Sequence, residues 1–427
     1  MTQSIEVLSV STVDIHGGAA RAAYRLHSGL LDSGVRASMM VHRKYGDDGT
    51  VLPTHGRSHL GSIWGTIKPL LDAVPVRLYP RRRAGFWSCN LWPEIGFNRA
   101  VLKLGPKLVH LHWIGEGFLS PSQIGALHCP VVWTLHDMWA FTGGCHYDNG
   151  CGHYRQRCGH CPQLGSSQGW DISRFAWQFK HRAYRREKLL LVCPSRWLAR
   201  CAGESALLAG YRIEVIPNGL NLQQFKPLDQ AACRKALGLP LEQHALWLAF
   251  GAMSATSDPR KGFTALSEAL QRLASRQPDL DLGVMIFGAA RPAQAPDFGF
   301  DTHYLGRLHD DISMATVYSA ADAVVAPSTQ ENLSNVVLEA LACGTPVVAF
   351  DIGGMPDLID HQINGYLARA NDATDLAEGL AWVLNHPGRR SVLAAAARDK
   401  TEKEFDIRTI VGRYRAAYES LLDQGNG

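Results

Sequence analysis

No apolar run in this chain approaches the ~20 residues that a membrane-spanning helix needs, so a spanning protein is not expected. The opening MTQSIEVLSV lacks the basic-then-apolar profile of a secretory signal and starts a strand directly, which points to a soluble, cytosolic protein. Repeats and low-complexity tracts are missing, apart from two halves that both read as βα arrays, and nothing in the composition suggests disorder. The dinucleotide fingerprint G-x-G-x-x-G is also missing after the first strand, where Gly17-Gly18 stands instead. What is present is ample: 427 residues, 46% hydrophobic and 19% charged, enough for two or three domains with their own cores.

The net charge of +4 hides an asymmetry, because Met1 to Pro217 carries a net +11 and the remainder a net −7. Two domains with separate partners fit that split. The basic half could face anionic lipid or a phosphorylated acceptor, or its charges could be scattered and solvated; nucleic acid is not expected.

The most informative stretch runs from Asp322 to Phe350, DAVVAPSTQENLSNVVLEALACGTPVVAF. It reads as strand, Pro-Ser turn, polar loop, a helix from about Ser334 to Ala342, a Gly-Thr-Pro break and a second strand. Glu331 falls in the loop at a strand's C-terminal end and Glu339 inside the helix, with the free amides of the first turn between them. Two carboxylate acceptors beside an anion-binding helix start suit a nucleotide-sugar with its hydroxyls and pyrophosphate. Acidic residues at helix starts also arise from dipole preference alone, so other features must decide.

Upstream, strand, glycine turn and helix (Ala19 to Leu31) open a Rossmann-like unit, in which glycines let a ligand approach the backbone. Val131 to Leu135 is a strand that sets His136 at a C-terminal edge, where it could donate to a sugar hydroxyl or phosphate. Ile63 to Tyr79, followed by Arg81-Arg82-Arg83, is either a core-facing helix or a segment for a membrane interface. Four of the ten cysteines, Cys145, Cys151, Cys158 and Cys161, crowd one Gly-rich loop, with His146, His153 and His160 as substitutes. In a cytosolic chain this reads as a closed, structural zinc site rather than disulfides, with free or redox-active thiols as the alternative. Ser173 to Lys188 reads as a basic amphipathic helix that touches an anionic partner or is simply solvated. The domain boundary belongs near Gly219, giving domains at 1–218 and 219–400 and a terminal helix at 401–427 that packs back on the first domain. In the second half Arg260-Lys261-Gly262 precedes a helix beside a strand edge, and adjacent cations there can neutralise a pyrophosphate.

In this order the motifs Gly17-Gly18-Ala19-Ala20, Thr134-Leu135-His136-Asp137, Ile216 to Asn221, Arg260-Lys261-Gly262, Pro327-Ser328 with Glu331-x7-Glu339, and Gly344 to Val348 resemble the family 4 glycosyltransferases. Val132 to Leu164 resembles a bacterial subgroup that builds extracellular polysaccharides of the colanic-acid kind. The resemblance implies a retaining enzyme of the GT-B fold, with two Rossmann-like doubly wound domains facing a central cleft. Its donor would be a nucleoside-diphosphate-sugar and its acceptor a carbohydrate or lipid-linked oligosaccharide. Contact with the cytoplasmic face of an anionic membrane would follow, and no catalytic metal is expected. By this resemblance Glu331 holds donor-sugar hydroxyls, Glu339 the ribose, and the amides of Asn332, Leu333 and Ser334 the sugar and diphosphate. Lys261 and Arg260 stabilise the leaving diphosphate, His136 lies under the anomeric centre, Gly18 abuts phosphate or acceptor, and Leu308 lies near the base. Two positions depart from the family: Gly251-Ala252 stands where Gly-Arg is usual, and Asn332 where glycine often follows the glutamate. A sugar-nucleotide epimerase and a non-catalytic sugar-nucleotide-binding protein are the alternatives.

Overall fold

Short runs of Val, Leu, Ile and Met alternate along the chain with amphipathic segments, and the runs become parallel strands, the central ones buried on both faces. The computed structural model describes residues 6–55, 59–83, 85–184, 189–240, 244–251, 258–292, 296–308 and 310–423. It divides into two units, residues 1–217 with 410–427, and residues 218–409.

The first unit contains β1 (Val7–Val13), α1 (Gly18–Asp32), β2 (Ala37–Arg43), β3 (Val51–Pro53), α2 (His59–Arg77), α3 (Phe97–Leu104), β4 (Leu108–Leu111), α4 (Pro121–Gly125), β5 (Val131–Thr134), α5 (Ile172–Ala183), β6 (Leu189–Cys193), α6 (Arg196–Gly203) and β7 (Arg212–Val215). Its sheet is parallel in the order β3-β2-β1-β4-β5-β6-β7, so the winding reverses between β1 and β4. Leu8, Val10, Val109, Leu111, Val131, Trp133, Leu189 and Leu191 fill one core.

The second unit contains α7 (Gln230–Ala236), β8 (Leu246–Gly251), α8 (Phe263–Arg276), β9 (Leu282–Phe287), β10 (Asp301–Gly306), α9 (Asp311–Ala320), β11 (Ala323–Ala326), α10 (Asn335–Ala342), β12 (Val347–Phe350), α11 (Met355–Leu358), β13 (Gly365–Ala368), α12 (Ala373–Leu384) and α13 (Pro387–Glu404). Its parallel order is β10-β9-β8-β11-β12-β13. Helix α14 (Ile407–Asp423) then returns the chain to the first unit. Its buried Tyr418 hydroxyl bonds His110 Nδ1 at 2.8 Å, and Tyr414 bonds Thr134 Oγ1 at 2.9 Å, which seats the helix against β4 and β5.

Two local readings change on folding, and a short strand is added. Strand β3 is only three residues and ends on Pro53, which an edge strand tolerates because one side needs no N–H. Helix α5 stops at Ala183, and Lys180 is fully buried rather than solvated; Arg185, Arg186 and Lys188 lie outside the described residues. Helix α2 is inside out: Lys68 and Asp72 are buried, while Ile63, Ile67, Leu70, Leu71 and Val74 are exposed. The buried face is satisfied by hydrogen bonds, with Asp72 accepting from the amides of Cys89 (3.0 Å) and Asn90 (2.6 Å).

Candidate active site

In the second unit, the buried Ala-Val-Val-Ala run of β11 delivers the chain to Pro327-Ser328 at the C-terminal edge of the sheet. Ser334 then caps α10, its Oγ accepting the Val337 N–H at 3.4 Å, so the helix starts one residue later than the sequence pattern predicts. Asn332, Leu333 and Ser334 are all buried against this helix start. Glu331 sits in the loop between, and two glycines decide where its side chain goes. Gly353 has φ +53, and a Cβ there would lie 1.8 Å from the Glu331 carbonyl oxygen. Gly262 has φ +73, and a Cβ there would lie 1.8 Å from the Pro327 carbonyl oxygen. The Thr329 N–H donates to Arg260 O at 2.8 Å, stitching the Arg-Lys-Gly turn to the same loop. The result is an ion pair, Lys261 Nζ to Glu331 Oε2 at 2.8 Å, with both side chains partly open to solvent.

Glu339, by contrast, is 2% exposed, and the Tyr318 hydroxyl donates to its Oε2 at 2.9 Å. Arg260 is gripped by Asp258, its Nε donating to Oδ1 at 3.1 Å and Nη2 to Oδ2 at 2.7 Å. Burial works to raise Asp258, but the Arg260 guanidinium holds its carboxyl below the usual range. The sequence pattern gave no warning of Asp258 as Arg260's partner, although its position two residues upstream fits a local turn. Gly251 ends β8, where a Cβ would meet the Phe287 ring at 2.2 Å. Leu308 is half-buried against the core beyond β10, and Ala252 lies outside the described residues.

In the first unit, Gly17 with φ +97 makes the tight turn and Gly18 opens α1. His136 follows β5 and His112 follows β4, and their rings meet with Nδ1 of His112 3.2 Å from Nε2 of His136. Burial lowers the His136 pKa to about 4, so the ring is neutral near pH 7. A small concavity of about 10 Å³ is lined by His112, Trp113, His136, Asp137, Trp139 and His146 among others. At its wall Asp137 Oδ2 accepts from Trp113 Nε1 at 2.7 Å and lies 2.6 Å from His146 Nδ1, while His146 Nε2 lies 2.9 Å from Ser88 Oγ. Burial pushes Asp137 up, but the His146 charge and these hydrogen bonds leave its pKa below the ordinary value. Ser88 and Trp113 carry no motif; Asp137 stood out only as the end of the Thr134 to Asp137 motif and His146 only as a substitute metal ligand, not as a pair.

Comparison with known proteins resolves the class of these units. Residues 16–224 match the family described as Glycosyltransferase Family 4, and residues 246–386 match Glycosyl transferases group 1. The chain carries these two glycosyltransferase domains. A D-inositol 3-phosphate glycosyltransferase of Saccharomonospora viridis is 34% identical over 205 residues, 45% of this chain and 46% of that protein. One from Kribbella flavida is 32% identical over 227 residues, 49% of this chain and 52% of that protein. The chain thus spans about half the length of the curated relatives it matches. The sucrose-phosphate synthase of Thermosynechococcus elongatus superposes with a TM-score of 0.68 at 18% identity, covering 98% of this chain and 100% of that one. Anabaena HepE, solved with UDP-glucose, gives 0.63 at 17% identity over 97% and 100%. The fold is GT-B, with two Rossmann-like parallel-sheet domains.

The cysteine loop belongs to the family 4 domain. Cys145, Cys158 and Cys161 are buried and Cys151 half-buried, all as free thiols. Burial raises the Cys145 thiol well above its ordinary value, and the neighbouring Cys158, Cys161 and Cys151 push it further. The histidines near them are engaged elsewhere: His153 Nδ1 lies 3.0 Å from Gly159 O, His160 Nδ1 lies 2.8 Å from Ser167 O, and His146 serves Asp137. Among the described residues, the metal-capable side chains whose ligand atoms all fall within 4.8 Å of one another are His42, His55 and Glu94; the cysteines do not converge that tightly.

Proposed function

We propose that the protein is a retaining glycosyltransferase that moves a sugar from a nucleoside-diphosphate-sugar to a carbohydrate hydroxyl. The observation that carries this reading is the Lys261–Glu331 pair, 2.8 Å apart at the C-terminal edge of β11 beside the α10 N-terminus, in a domain matched to glycosyl transferases group 1. An incoming diphosphate competes for Lys261 and for the helix amides, which supply positive charge where the leaving group develops negative charge. Glu331 is then released to accept hydrogen bonds from sugar hydroxyls. Glu339, buried in α10 and held by Tyr318, is suited to a ribose rather than to proton transfer. No carboxylate pair is needed at the anomeric carbon. The acceptor oxygen bonds to that carbon on the face from which the diphosphate departs, and the acceptor's proton passes to a diphosphate oxygen. His136, a neutral imidazole, donates to a sugar hydroxyl or phosphate. For Arg260 to join the diphosphate, its bidentate pair with Asp258 must open.

Three finer readings belong to the same proposal. The acceptor is a lipid-linked oligosaccharide in extracellular polysaccharide assembly of the colanic-acid kind; the names of the relatives make a phosphorylated inositol the second candidate. The exposed apolar face of α2, with the exposed Arg81, Arg82 and Arg83 shortly after it, rests on the anionic cytoplasmic face of a membrane. Cys145, Cys151, Cys158 and Cys161 hold a structural zinc ion; a soft, clustered thiol set fits that ion, which would draw the four sulfurs together.

A thermal-shift panel of UDP-, GDP- and ADP-sugars identifies the donor, and a transfer assay with that donor tests the site. Lys261→Ala and Glu331→Ala should each lower transfer by orders of magnitude while leaving the melting temperature close to that of the unaltered protein. Turnover near the starting level in both variants would sink the assignment. Release of an epimerised free donor without acceptor would favour the epimerase reading instead.

A further inference from the structure

His42, His55 and Glu94 take no part in the site described above, yet their ligand atoms fall within 4.8 Å of one another. His42 lies near the C-terminal end of β2, and His55 follows β3, whose register with β2 pairs Val41 with Pro53. The two imidazoles therefore emerge from the same end of the edge strand β3 and its neighbour β2. Glu94 comes from the segment before α3 and is 2% exposed. His42 Nδ1 stands 3.3 Å from Glu94 Oε1, and His55 Nε2 contacts the same oxygen more closely. A tetrahedral site with bonds of ~2.0 Å separates its ligand atoms by about 3.3 Å. The carboxylate is oriented from behind. Its Oε2 takes the Lys68 ammonium, and Lys68 Nζ also donates to Phe118 O at 2.8 Å. Gln123 clamps the Glu94 backbone, accepting its N–H at 2.6 Å and donating to its carbonyl at 2.9 Å. Outer-shell support of this kind accompanies ligating carboxylates.

We propose that His42, His55 and Glu94 bind a divalent transition metal of the zinc class through two imidazole nitrogens and one carboxylate oxygen. The donor set favours zinc, nickel or iron over magnesium or calcium and is chemically distinct from the cysteine loop. Entry of the ion separates His55 from Glu94 to the same edge length, a small movement for a residue on a loop. The ion would fasten the loop after the three-residue edge strand β3 to the segment before α3.

The test is a cobalt titration of the chelator-stripped full chain. The expected result is weak visible absorption from nitrogen and oxygen ligation, without intense near-ultraviolet thiolate charge transfer, retained in the Cys158→Ser/Cys161→Ser variant. His55→Ala should lose one equivalent of cobalt and the zinc-induced rise in melting temperature. Unchanged cobalt binding in His55→Ala, or loss of all cobalt binding in the folded cysteine variant, overturns the proposal. Should either variant fail to fold, zinc X-ray absorption of the unaltered chain decides the matter. Nitrogen and oxygen scatterers at ~2.0 Å support the site, and a shell of sulfur alone at ~2.3 Å refutes it.

Discussion

Gly262→Ala is the substitution that most directly tests how the candidate donor site is assembled. Gly262 holds φ +73, which costs a residue with a side chain about 1 kcal/mol. Its added Cβ would also lie 1.8 Å from Pro327 O, well inside van der Waals contact. Relief requires the Arg-Lys-Gly turn and the Pro327 loop to part by more than ~1 Å, and such overpacking costs about 2 kcal/mol. Together the loss is about 3 kcal/mol, or a fall in Tm of roughly 6–12 °C for a unit of this size. Gly238 is the matched control: it holds φ +66 with nothing within 4 Å of its Cβ position. Gly238→Ala should cost only the backbone share, about 1 kcal/mol or roughly 2–4 °C. The displaced turn also carries Lys261 away from Glu331, and misplacement by ~1 Å can cost about 100-fold in a catalysed step. Thermal unfolding of both variants, followed by sugar transfer with the donor found in the thermal-shift panel, measures both effects. If Gly262→Ala loses no more stability than Gly238→Ala, the packing argument for Lys261's position is wrong.

Acid should destabilise the first unit before most carboxylates titrate. Burial lowers His27 to about 4 and His110 to about 3, both below an unfolded value of ~6.5. The unfolded chain therefore takes up protons first as pH falls, and stability drops from ~6.5 downward, by about 2 kcal/mol for each residue at pH 5. Urea unfolding at pH 7 and pH 5 reads this loss, His27→Gln should flatten it, and a midpoint that does not move would refute it. The α2 surface predicts sedimentation with anionic vesicles, weaker with neutral ones, and weaker again when Ile67→Ser and Leu71→Ser are combined; equal binding in all three cases would contradict it. Cys158→Ser should lower zinc content and melting temperature, and an equally stable, zinc-free, active variant would remove the staple.

Much of the second unit was legible because its information is local. A strand's apolar run, the helix start near Ser334 and the E-x7-E spacing of Glu331 and Glu339 each depend on neighbours a few residues away. The Arg260–Asp258 pair was equally local and still went unseen, because an acid near an arginine carries no signal of its own. In the first unit the strands preceding His112 and His136 could be read, but Ser88, Trp113 and the His42–His55–Glu94 group could not. Those residues come from β2 and from separate loops, and only the strand order brings them together. Helix α2 shows why composition alone is ambiguous: an apolar segment reads the same whether its apolar side faces inward or outward. Buried Lys68 and Asp72 decide that it faces outward.

The sequence by itself determined two βα arrays, a boundary near Gly219 and, within each half, the C-terminal strand edge on which Glu331 and Lys261, or His136, must lie. Periodicity, capping and turn residues act over a few residues and are written directly in the chain. Tertiary structure alone decided which carboxylate stays open and which is spent. Glu331 meets Lys261 across 70 positions of sequence because Gly262 and Gly353 let two loops touch, whereas Glu339 turns inward to Tyr318. Contacts of that range depend on close packing between backbones, which no local pattern records.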